Sequence, residues 1–188
     1  MGENKTNNFS TTLPAPQSEL VQEIIKDPYN FDFLTLTEKS QERDLEDGLM
    51  KNLTSFLLEL GKGFAFVGQQ YHLEIGEQDY YLDLLFYNTK LHCYVVFELK
   101  MGEFKPEYAG KVNFYLSAID SLLKTEYDQP SIGIILCKSK NKIVAEYALR
   151  DMSKPIGVSE YNITQILSEE LKTTLPTIEE LEQELEDK

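Results

Sequence analysis

The sequence predicts a mixed α/β fold, in which helices flank one mixed central sheet. Strand-length apolar runs alternate along the chain with stretches whose apolar residues recur at helical spacing. Residues 132–137 form a continuous apolar run, which is typical of a central strand buried on both faces. With 188 residues, 41% of them hydrophobic, the chain suffices for one domain with a sizeable core.

The N-terminal segment is the least structured part of the predicted fold. Residues 1–27 are polar and include Pro14 and Pro16. We therefore assign residues 1–30 to a linker with a short helix over residues 19–26, and we expect no core there. An opening linker also suggests one domain of a longer architecture.

The first long helix is predicted over residues 38–60, with Thr37 as its cap and Gly61 after its end. Glu46 lies seven residues before Leu53 and so falls about 20° from the apolar stripe of this helix. Helix geometry alone favours a solvated residue at the edge of the stripe. An acid with a functional role is the alternative.

The rest of the chain supplies the strands of the sheet and the helices that follow them. Pro106 can begin a helix over residues 107–124. One or two acidic helices would complete the order α-β-β-β-α-β-α-β-α. The other predicted elements are strands at residues 64–67 and 71–75, a hairpin within residues 80–102, the strand at residues 132–137, a helix at residues 141–149 and a strand at residues 158–161.

Three ionisable residues, Asp83, Glu98 and Lys100, lie within the apolar strands of the predicted hairpin. Burying such charges costs several kcal/mol unless they are paired or bind a metal. Their presence therefore requires a functional or structural reason.

The turn of the hairpin decides whether these charges share one face. A four-residue loop over residues 88–91 places Tyr87 opposite His92 and Asp83 opposite Val96. Glu98 and Lys100 then lie on the same face as Asp83, because side chains alternate with a period of two. A three-residue loop would place Asp83 and Glu98 on opposite faces.

Two carboxylates that converge from neighbouring strands suit Mg²⁺ or Mn²⁺, which prefer oxygen ligands. The metal can polarise a phosphoryl oxygen and lower the pKa of a bound water. A nearby lysine can orient that water or stabilise negative charge on the phosphate. Phosphodiester hydrolysis is the reaction that this set favours.

Several other functions lack support in the sequence. There is no glycine-rich phosphate loop, and His72 and His92 have no paired nucleophile. Cys93 and Cys137 lie in apolar runs, as reduced core residues do. The apolar runs are only strand-length and the N-terminus is polar, so we expect a cytoplasmic protein without a membrane span.

The net charge of −14 gives no support to a nucleic-acid role, because such binding depends largely on contacts to phosphate. Residues 166–188 alone contribute −6, so part of the imbalance belongs to a solvated C-terminal segment. Another part can be carboxylates that a divalent cation neutralises. A nucleic-acid role is therefore not excluded.

The spacing D-x14-E-x-K, formed by Asp83, Glu98 and Lys100, resembles the active-site signature of the PD-(D/E)xK nuclease superfamily. A longer resemblance links the chain to the C-terminal nuclease domain of the bacterial YhcG family, over residues 31–175. It is carried by ELGKGFAFVGQQ, YYLDLLFYNTKLHCYVVFELKMGEFKPEYAGK, IGIILCK, AEYAL and PIGVSEY. The segment LPAPQSELVQEIIKDPYNFDFL resembles the linker from the N-terminal helical domain of that family, a domain absent from this chain.

The resemblance implies a restriction-endonuclease-like αβββαβ core, followed by an acidic helix or tail over residues 176–188. It implies a Mg²⁺-dependent nuclease, with Mn²⁺ as a substitute, that acts on DNA such as branched or foreign DNA in repair or defence. Many nucleases of this fold are homodimers. In the implied site Asp83, Glu98, Glu46 and the main-chain carbonyl of Leu99 bind the metal, and Lys100 activates water.

Two positions depart from the pattern of that family, and both concern the grip on the substrate. Gly68-Gln69-Gln70 stands where GRQ is frequent, and Lys111 stands where a glutamine commonly precedes Tyr115 by four residues. Gln70, Lys111 and Tyr115 are the expected nucleic-acid contacts. The lost arginine and the acidic net charge also motivate a second hypothesis, a catalytically silent nuclease-fold module for nucleic-acid or protein binding.

Lys138 and Lys140 follow the predicted strand at residues 132–137 and could contact a nucleic-acid backbone from its end. A solvated loop is the alternative interpretation of these lysines.

Overall fold

The computed structural model describes residues 5–163, 166–167 and 183 of the chain. Helices and strands alternate along most of this part. In chain order they are β1 Thr6–Asn7, α1 Phe9–Thr12, α2 Ala15–Ile24, β2 Tyr29–Asn30, β3 Leu36–Thr37, α3 Glu42–Lys51, α4 Leu53–Leu60, β4 Phe64–Ile75, β5 Gln78–Asn88, β6 Cys93–Leu99, α5 Pro106–Leu122, β7 Ile132–Cys137, α6 Lys142–Arg150, β8 Ile156–Asn162 and β9 Ile166–Leu167.

The central sheet is mixed, as the sequence predicts. Within the described residues it has seven strands in the order β1-β8-β7-β6-β5-β4, with β2 also paired to β8. Strands β4, β5 and β6 form an antiparallel meander, whereas β6, β7 and β8 are parallel. The helices α3 and α4, the meander, α5 and β7 follow one another in the predicted αβββαβ order.

Apolar side chains cover both faces of the sheet, because adjacent residues of each central strand point to opposite sides. On one face, Phe56 of α4 packs in a buried cluster with Phe86 and Phe97. On the other face, α5 and α6 cover a second cluster that includes Leu85 and Ile135. Every residue of β7 is buried, which confirms the prediction of a central strand at residues 132–137.

The expectation that the N-terminal segment has no core is wrong. Phe9 and Val21 are fully buried in the cluster that covers the first face of the sheet. Strand β1 extends the sheet by pairing antiparallel with β8, and the buried side chain of Asn8 accepts a hydrogen bond from Ile156 N at 2.7 Å. Strand β1 and helix α1 are too short to show a periodic pattern, and α2 lies in a polar sequence that contains Pro14 and Pro16.

The helix predicted over residues 38–60 is divided into α3 and α4. Asn52 lies between them with a ψ of 39°, and its side-chain amide donates to the carbonyl of Gly48 at 2.9 Å. Thr37 is not the helix cap, because it belongs to β3. The helix begins at Glu42, where the Asp44 carboxylate accepts a hydrogen bond from Gln41 N at 2.7 Å.

The two strands predicted at residues 64–67 and 71–75 form one long strand, β4. Its register with β5 shifts between Phe66 and Gly68, and Gln70 has a φ of +45°. The chain thus passes through residues 68–70 as an irregular strand. It does not form a loop there.

The hairpin between β5 and β6 has a loop with an even number of residues, as predicted, but the pairing of its strands is shifted. Asn88 pairs with Cys93, so the four-residue loop covers residues 89–92 instead of 88–91, and Tyr87 faces Tyr94. The reason is the buried side chain of Asn88, which accepts hydrogen bonds from the N–H groups of Lys90 and Leu91 at 2.9 Å each and holds Asn88 in the strand.

The remaining predictions agree with the structure to within two residues for α5, α6 and β8. Cys93 and Cys137 are free and buried, as expected. The predicted acidic tail over residues 176–188 lies outside the described residues, apart from residue 183. None of the described helices is long and apolar enough to cross a membrane.

Candidate active site

The predicted site residues converge beside the end of the β5–β6 pairing. Asp83 comes from β5, Glu98 from β6 and Glu46 from α3, and Lys100 follows β6 directly. Main-chain pairing of β5 with β6 ends at Leu84 and Phe97. Continuing that register places Asp83 and Glu98 opposite each other and on one face, as the site requires.

The carboxylate of Asp83 is held where the pairing of the two strands ends. Its Oδ2 atom accepts a hydrogen bond from Leu99 N at 2.8 Å. Burial raises the pKa of Asp83 to about 6, and the negative charges of Glu98 and Glu46 add to this effect. The hydrogen bond from Leu99 and the charge of Lys111 oppose the rise only in part.

Glu98 is almost completely buried, with 1% of its surface exposed. Its Oε1 atom accepts a hydrogen bond from Lys111 Nζ at 2.7 Å and lies 3.4 Å from Lys100 Nζ. Its Oε2 atom is buried and has no hydrogen-bond partner within the described part of the chain. A carboxylate oxygen in this state destabilises the fold, because burial removes the water that bound it and no other hydrogen-bond donor takes the place of that water.

Glu46 is a buried acid rather than a solvated one, since only 7% of its surface is exposed. Its Oε1 atom accepts a hydrogen bond from Gln69 Nε2, and its Oε2 atom accepts one from Gln70 Nε2, both at 2.8 Å. Gln70 Nε2 also lies 3.3 Å from Asp83 Oδ1. Gln70 therefore connects the helix acid to the strand acid.

Gln69 is a site residue that the sequence prediction missed. Adjacent side chains of a regular strand point to opposite faces, so one partner at most would be expected for Glu46. The positive φ of Gln70 interrupts the alternation and allows both amides to reach the same carboxylate. The repeated glutamine in a glycine-containing stretch was the signal available in the sequence.

Lys100 is enclosed by acidic and aromatic side chains. Its Nζ atom lies 3.7 Å from Glu42 Oε2 and 4.6 Å from the centroid of the Tyr108 ring. Its carbonyl oxygen accepts a hydrogen bond from the Tyr161 hydroxyl at 2.7 Å. Glu42 was also missed, although it precedes Glu46 by one helical turn and so lies on the same side of α3.

A cleft of about 470 Å³ opens beside the acids Glu42, Glu46 and Asp83. Its wall combines acids, amides and one arginine from α3, β4 and β5. The lining residues are Glu42, Arg43, Glu46, Asp47, Gln69, Gln70 and Asp83.

The predicted nucleic-acid contacts have different environments. Lys111 is bound to Glu98, and its ammonium lies 5.6 Å from the centroid of the Tyr115 ring. Burial lowers the pKa of Lys111, but the hydrogen bond and the charge of Glu98 outweigh burial and leave this pKa raised. Burial also raises the pKa of the Tyr115 hydroxyl. Both side chains thus adjoin the acids of the site.

Lys138 is exposed, whereas Lys140 is not available to phosphate in this structure. The Lys140 side chain is 6% exposed, forms a buried ion pair with Asp27, and donates to the carbonyl of Val158 at 2.9 Å. The sequence left open whether these lysines contact nucleic acid or form a solvated loop, and neither interpretation anticipates the buried ion pair of Lys140. The N-terminal segment, which brings Asp27 to this place, changes the environment of Lys140.

The site fits a divalent cation by its donor chemistry. Mg²⁺ is usually bound by one or two carboxylates and completes its shell with water and substrate phosphate. Asp83 and Glu98, with the main-chain carbonyl of Leu99 at the end of β6, offer such a set of oxygen atoms. Glu98 Oε2 lacks a partner among the described residues. No three His, Cys, Asp or Glu side chains in that part of the chain are grouped closely enough to hold an ion by themselves.

Two solved structures resemble the fold at low sequence identity. A repair endonuclease from Pyrococcus abyssi matches with a TM-score of 0.44 and 16% identity, over 69% of this chain and 49% of its own. An EndoMS–dsDNA2 complex matches with a TM-score of 0.46 and 17% identity, over 77% of this chain and 50% of its own. Similarity at this level carries no argument about the site.

Sequence comparison gives a closer relationship. The Escherichia coli (strain K12) protein "Putative nuclease YhcG" is 34% identical over 184 residues, which are 96% of this chain and 49% of that protein. The chain thus spans about half the length of this curated relative. Residues 22–176, which include every residue of the site, match the family model described as "YhcG PDDEXK nuclease domain". This chain therefore belongs to the YhcG PDDEXK nuclease domain family.

Proposed function

We propose that this domain hydrolyses phosphodiester bonds in DNA with Mg²⁺, for which Mn²⁺ substitutes. The observation that carries the proposal is Glu98 Oε2, a buried carboxylate oxygen without a partner among the described residues. It lies in a group of acids that burial and mutual repulsion destabilise, as the raised pKa of Asp83 indicates. A divalent cation would remove both costs.

The metal, when bound, would polarise a phosphoryl oxygen and lower the pKa of a bound water. Asp83 and Glu98 would hold it, together with the main-chain carbonyl of Leu99. The hydrogen bond from Leu99 N to Asp83 Oδ2 fixes the orientation of the Asp83 carboxylate in advance. Lys100, enclosed by Glu98, Glu42 and Tyr108, would orient the attacking water or stabilise charge on the phosphate.

Glu46 and Gln70 would complete the site on the side of α3. The Gln70 amide donates to Glu46 Oε2 at 2.8 Å and lies 3.3 Å from Asp83 Oδ1, so Glu46 holds this amide beside Asp83. We propose that Glu46 serves the metal or its water from this position and that Gln70 contacts the substrate. Both roles follow from the placement of these side chains on the wall of the cleft.

A cleavage assay with matched variants tests the proposal. Labelled branched, duplex and single-stranded DNA, with RNA as a fourth substrate, are incubated with the protein and Mg²⁺, Mn²⁺ or a chelator. We expect metal-dependent cleavage of DNA by the wild type and its loss in Asp83→Asn and Glu98→Gln, which preserve shape. Asp32→Asn, which removes one negative charge at an exposed position, is the control for charge.

Absence of cleavage on all substrates, or equal cleavage by the Glu98→Gln variant, would overturn the proposal. The four substrates also decide whether branched DNA is preferred. We further propose a homodimer, which sedimentation velocity tests directly.

A second candidate function is a silent nuclease-fold module. It is favoured by the finding that internal donors already occupy the acids: Gln69 and Gln70 bind Glu46, and Lys111 binds Glu98. Mn²⁺ calorimetry separates the two candidates. Binding that disappears in Asp83→Ala supports the enzyme, and no binding at that site supports the module.

A further inference from the structure

Lys111 holds one oxygen of the deepest acid of the site. Its Nζ atom donates to Glu98 Oε1 at 2.7 Å, which is shorter than the 3.4 Å between Lys100 Nζ and the same oxygen. One carboxylate oxygen thus faces two ammonium groups, while Oε2 is buried without a partner in the described residues. The charge on Glu98 is neutralised from one side only.

The two lysines differ in their freedom to leave Glu98. The side chain of Lys100 is 11% exposed and is confined by Glu42 and the Tyr108 ring. The side chain of Lys111 is 45% exposed and projects from α5 at the surface. A long, flexible lysine side chain at such a position can move its ammonium into solvent at little cost. Lys111 is therefore the cation that can be displaced.

We propose that Lys111 is an internal counter-cation of Glu98, which a divalent metal must displace, and that it thereby sets the metal affinity of the site. The inference rests on the proposed metal-dependent function and names a residue that regulates the same site. In the metal-free protein Lys111 compensates the buried charge of Glu98. When a divalent cation approaches, like charges repel, and the more exposed ammonium leaves.

This role differs from the nucleic-acid contact that the family resemblance leads one to expect for Lys111. A lysine that binds phosphate would affect the affinity for DNA and leave the affinity for the metal alone unchanged. A counter-cation would act on metal binding in the absence of DNA. The two roles therefore predict different metal affinities for a Lys111 variant without DNA: unchanged for a phosphate contact and higher for a counter-cation.

Calorimetric titration of the whole chain with Mn²⁺, without nucleic acid, is that measurement. We expect Lys111→Gln to bind Mn²⁺ about tenfold more tightly than the wild type, because the competing charge is removed. Lys111→Arg retains the charge and should bind close to the wild-type affinity. Lys90→Gln carries the same change of net charge at the far loop of the hairpin and should also resemble the wild type.

Unchanged or weaker Mn²⁺ binding by Lys111→Gln, with binding by the wild type intact, would overturn this inference and leave the proposed function standing. No Mn²⁺ binding by either protein would overturn both.

A second readout uses the wild type, so it does not depend on the folding of a variant. The Lys111 ammonium signal is followed by nuclear magnetic resonance during titration with Mg²⁺. We expect it to shift to the position of a solvated lysine as the site saturates. A Lys111 signal that stays unchanged while the Glu98 carboxyl signal moves would refute displacement.

Discussion

The carboxylate of Asp83 accepts a hydrogen bond from the main-chain N–H of Leu99 at 2.8 Å, beyond the last main-chain pair of β5 and β6. Main-chain hydrogen bonding between the two strands ends at Leu84 and Phe97, and beyond that point the Asp83 side chain connects them. The arrangement fixes Asp83 beside Glu98 at the cost of burying a charge. Asp83 therefore affects stability in two ways, favourably through the hydrogen bond to Leu99 and unfavourably through its buried charge, and a substitution can separate them.

Asp83→Asn should stabilise the metal-free protein, because it keeps an acceptor for Leu99 N–H and removes the charge. The pKa of Asp83 is raised from 3.8 to about 6 by burial first and by Glu98 second. For an acid with a raised folded-state pKa, the favourable contribution is complete below the unfolded pKa and is lost as the pH rises through the folded one. We expect a gain of about 1–3 kcal/mol at pH 8.

The gain should be about 1 kcal/mol smaller at pH 5, where part of the Asp83 population is protonated. Urea unfolding in the presence of a chelator at the two pH values measures both quantities. Asp32→Asn, an exposed change of the same charge, is the control and should show neither effect. A variant less stable than the wild type at pH 8 would contradict the account.

That Asp83 and Glu98 lie on the same face of the hairpin could be predicted from the sequence, whereas the exact pairing of the two strands could not. Residues 83 and 98 share a face for any even hairpin loop, so the shift by two residues left the prediction intact. The shift itself depends on the side chain of Asn88, which caps the loop and is buried within the strand. Such a contact is set by tertiary packing, and local propensity does not reveal it.

The sequence failed to reveal other residues for a similar reason. Gln69 joins Gln70 on Glu46 only because the strand is irregular at a positive φ. The N-terminal segment packs on the sheet through Phe9 and Val21, although its sequence is polar and its first helix has only four residues. The fold class was predictable because long strands and helices repeat their pattern, and single contacts do not.

Lys100→Met should abolish most of the activity proposed here without unfolding the protein. The change removes the ammonium that lies between Glu98 and Glu42 while retaining an unbranched side chain beside Tyr108. We expect the single-turnover rate of DNA cleavage to fall about 100-fold, the usual effect of losing one charge-stabilising donor. The thermal midpoint serves as the check on folding.

Lys90→Met is the matched control for this substitution, because Lys90 is exposed in the hairpin loop. Its cleavage rate should equal that of the wild type. A Lys100→Met variant that is folded and fully active would show that Lys100 has no part in the reaction.

Gly133→Ala should strongly destabilise the fold, because α5 approaches β7 too closely for a side chain. A Cβ atom at residue 133 would lie 2.4 Å from Val112 Cγ1 and 3.1 Å from Leu116 Cδ1. We expect a loss of about 1–3 kcal/mol from overpacking. Guanidinium unfolding curves measure it.

Gly110→Ala is the contrasting substitution on α5 itself. Outside its chain neighbours and the backbone of α5, no atom lies within 4 Å of a Cβ at residue 110, so helix propensity alone decides the effect. We expect a gain of about 0.5–1 kcal/mol, since alanine restricts the unfolded chain more than glycine does. A loss at residue 110 equal to that at residue 133 would show that contact with Val112 is not the cause of the loss at residue 133.

Lys138 and Lys140 lie two residues apart, but the fold gives them different surroundings. Asp27 binds the N–H of Glu160 at 2.9 Å through Oδ1 and the ammonium of Lys140 through Oδ2. Removing one partner of a buried ion pair leaves an uncompensated charge, so Lys140→Met should cost about 3 kcal/mol of unfolding free energy. Lys138→Met, at an exposed position, should change stability by less than about 0.5 kcal/mol.

A double-mutant cycle with Asp27→Asn identifies the cause of the loss at Lys140. If the ion pair is responsible, Asp27→Asn combined with Lys140→Met should cost clearly less than the sum of the two single changes, because each change alone leaves the other charge buried. Additive costs would mean that Lys140 stabilises the fold by some contact other than Asp27. The same cycle with Lys138→Met should be additive, since the polar contacts of Asp27 in the described part of the chain go to Lys140 and Glu160.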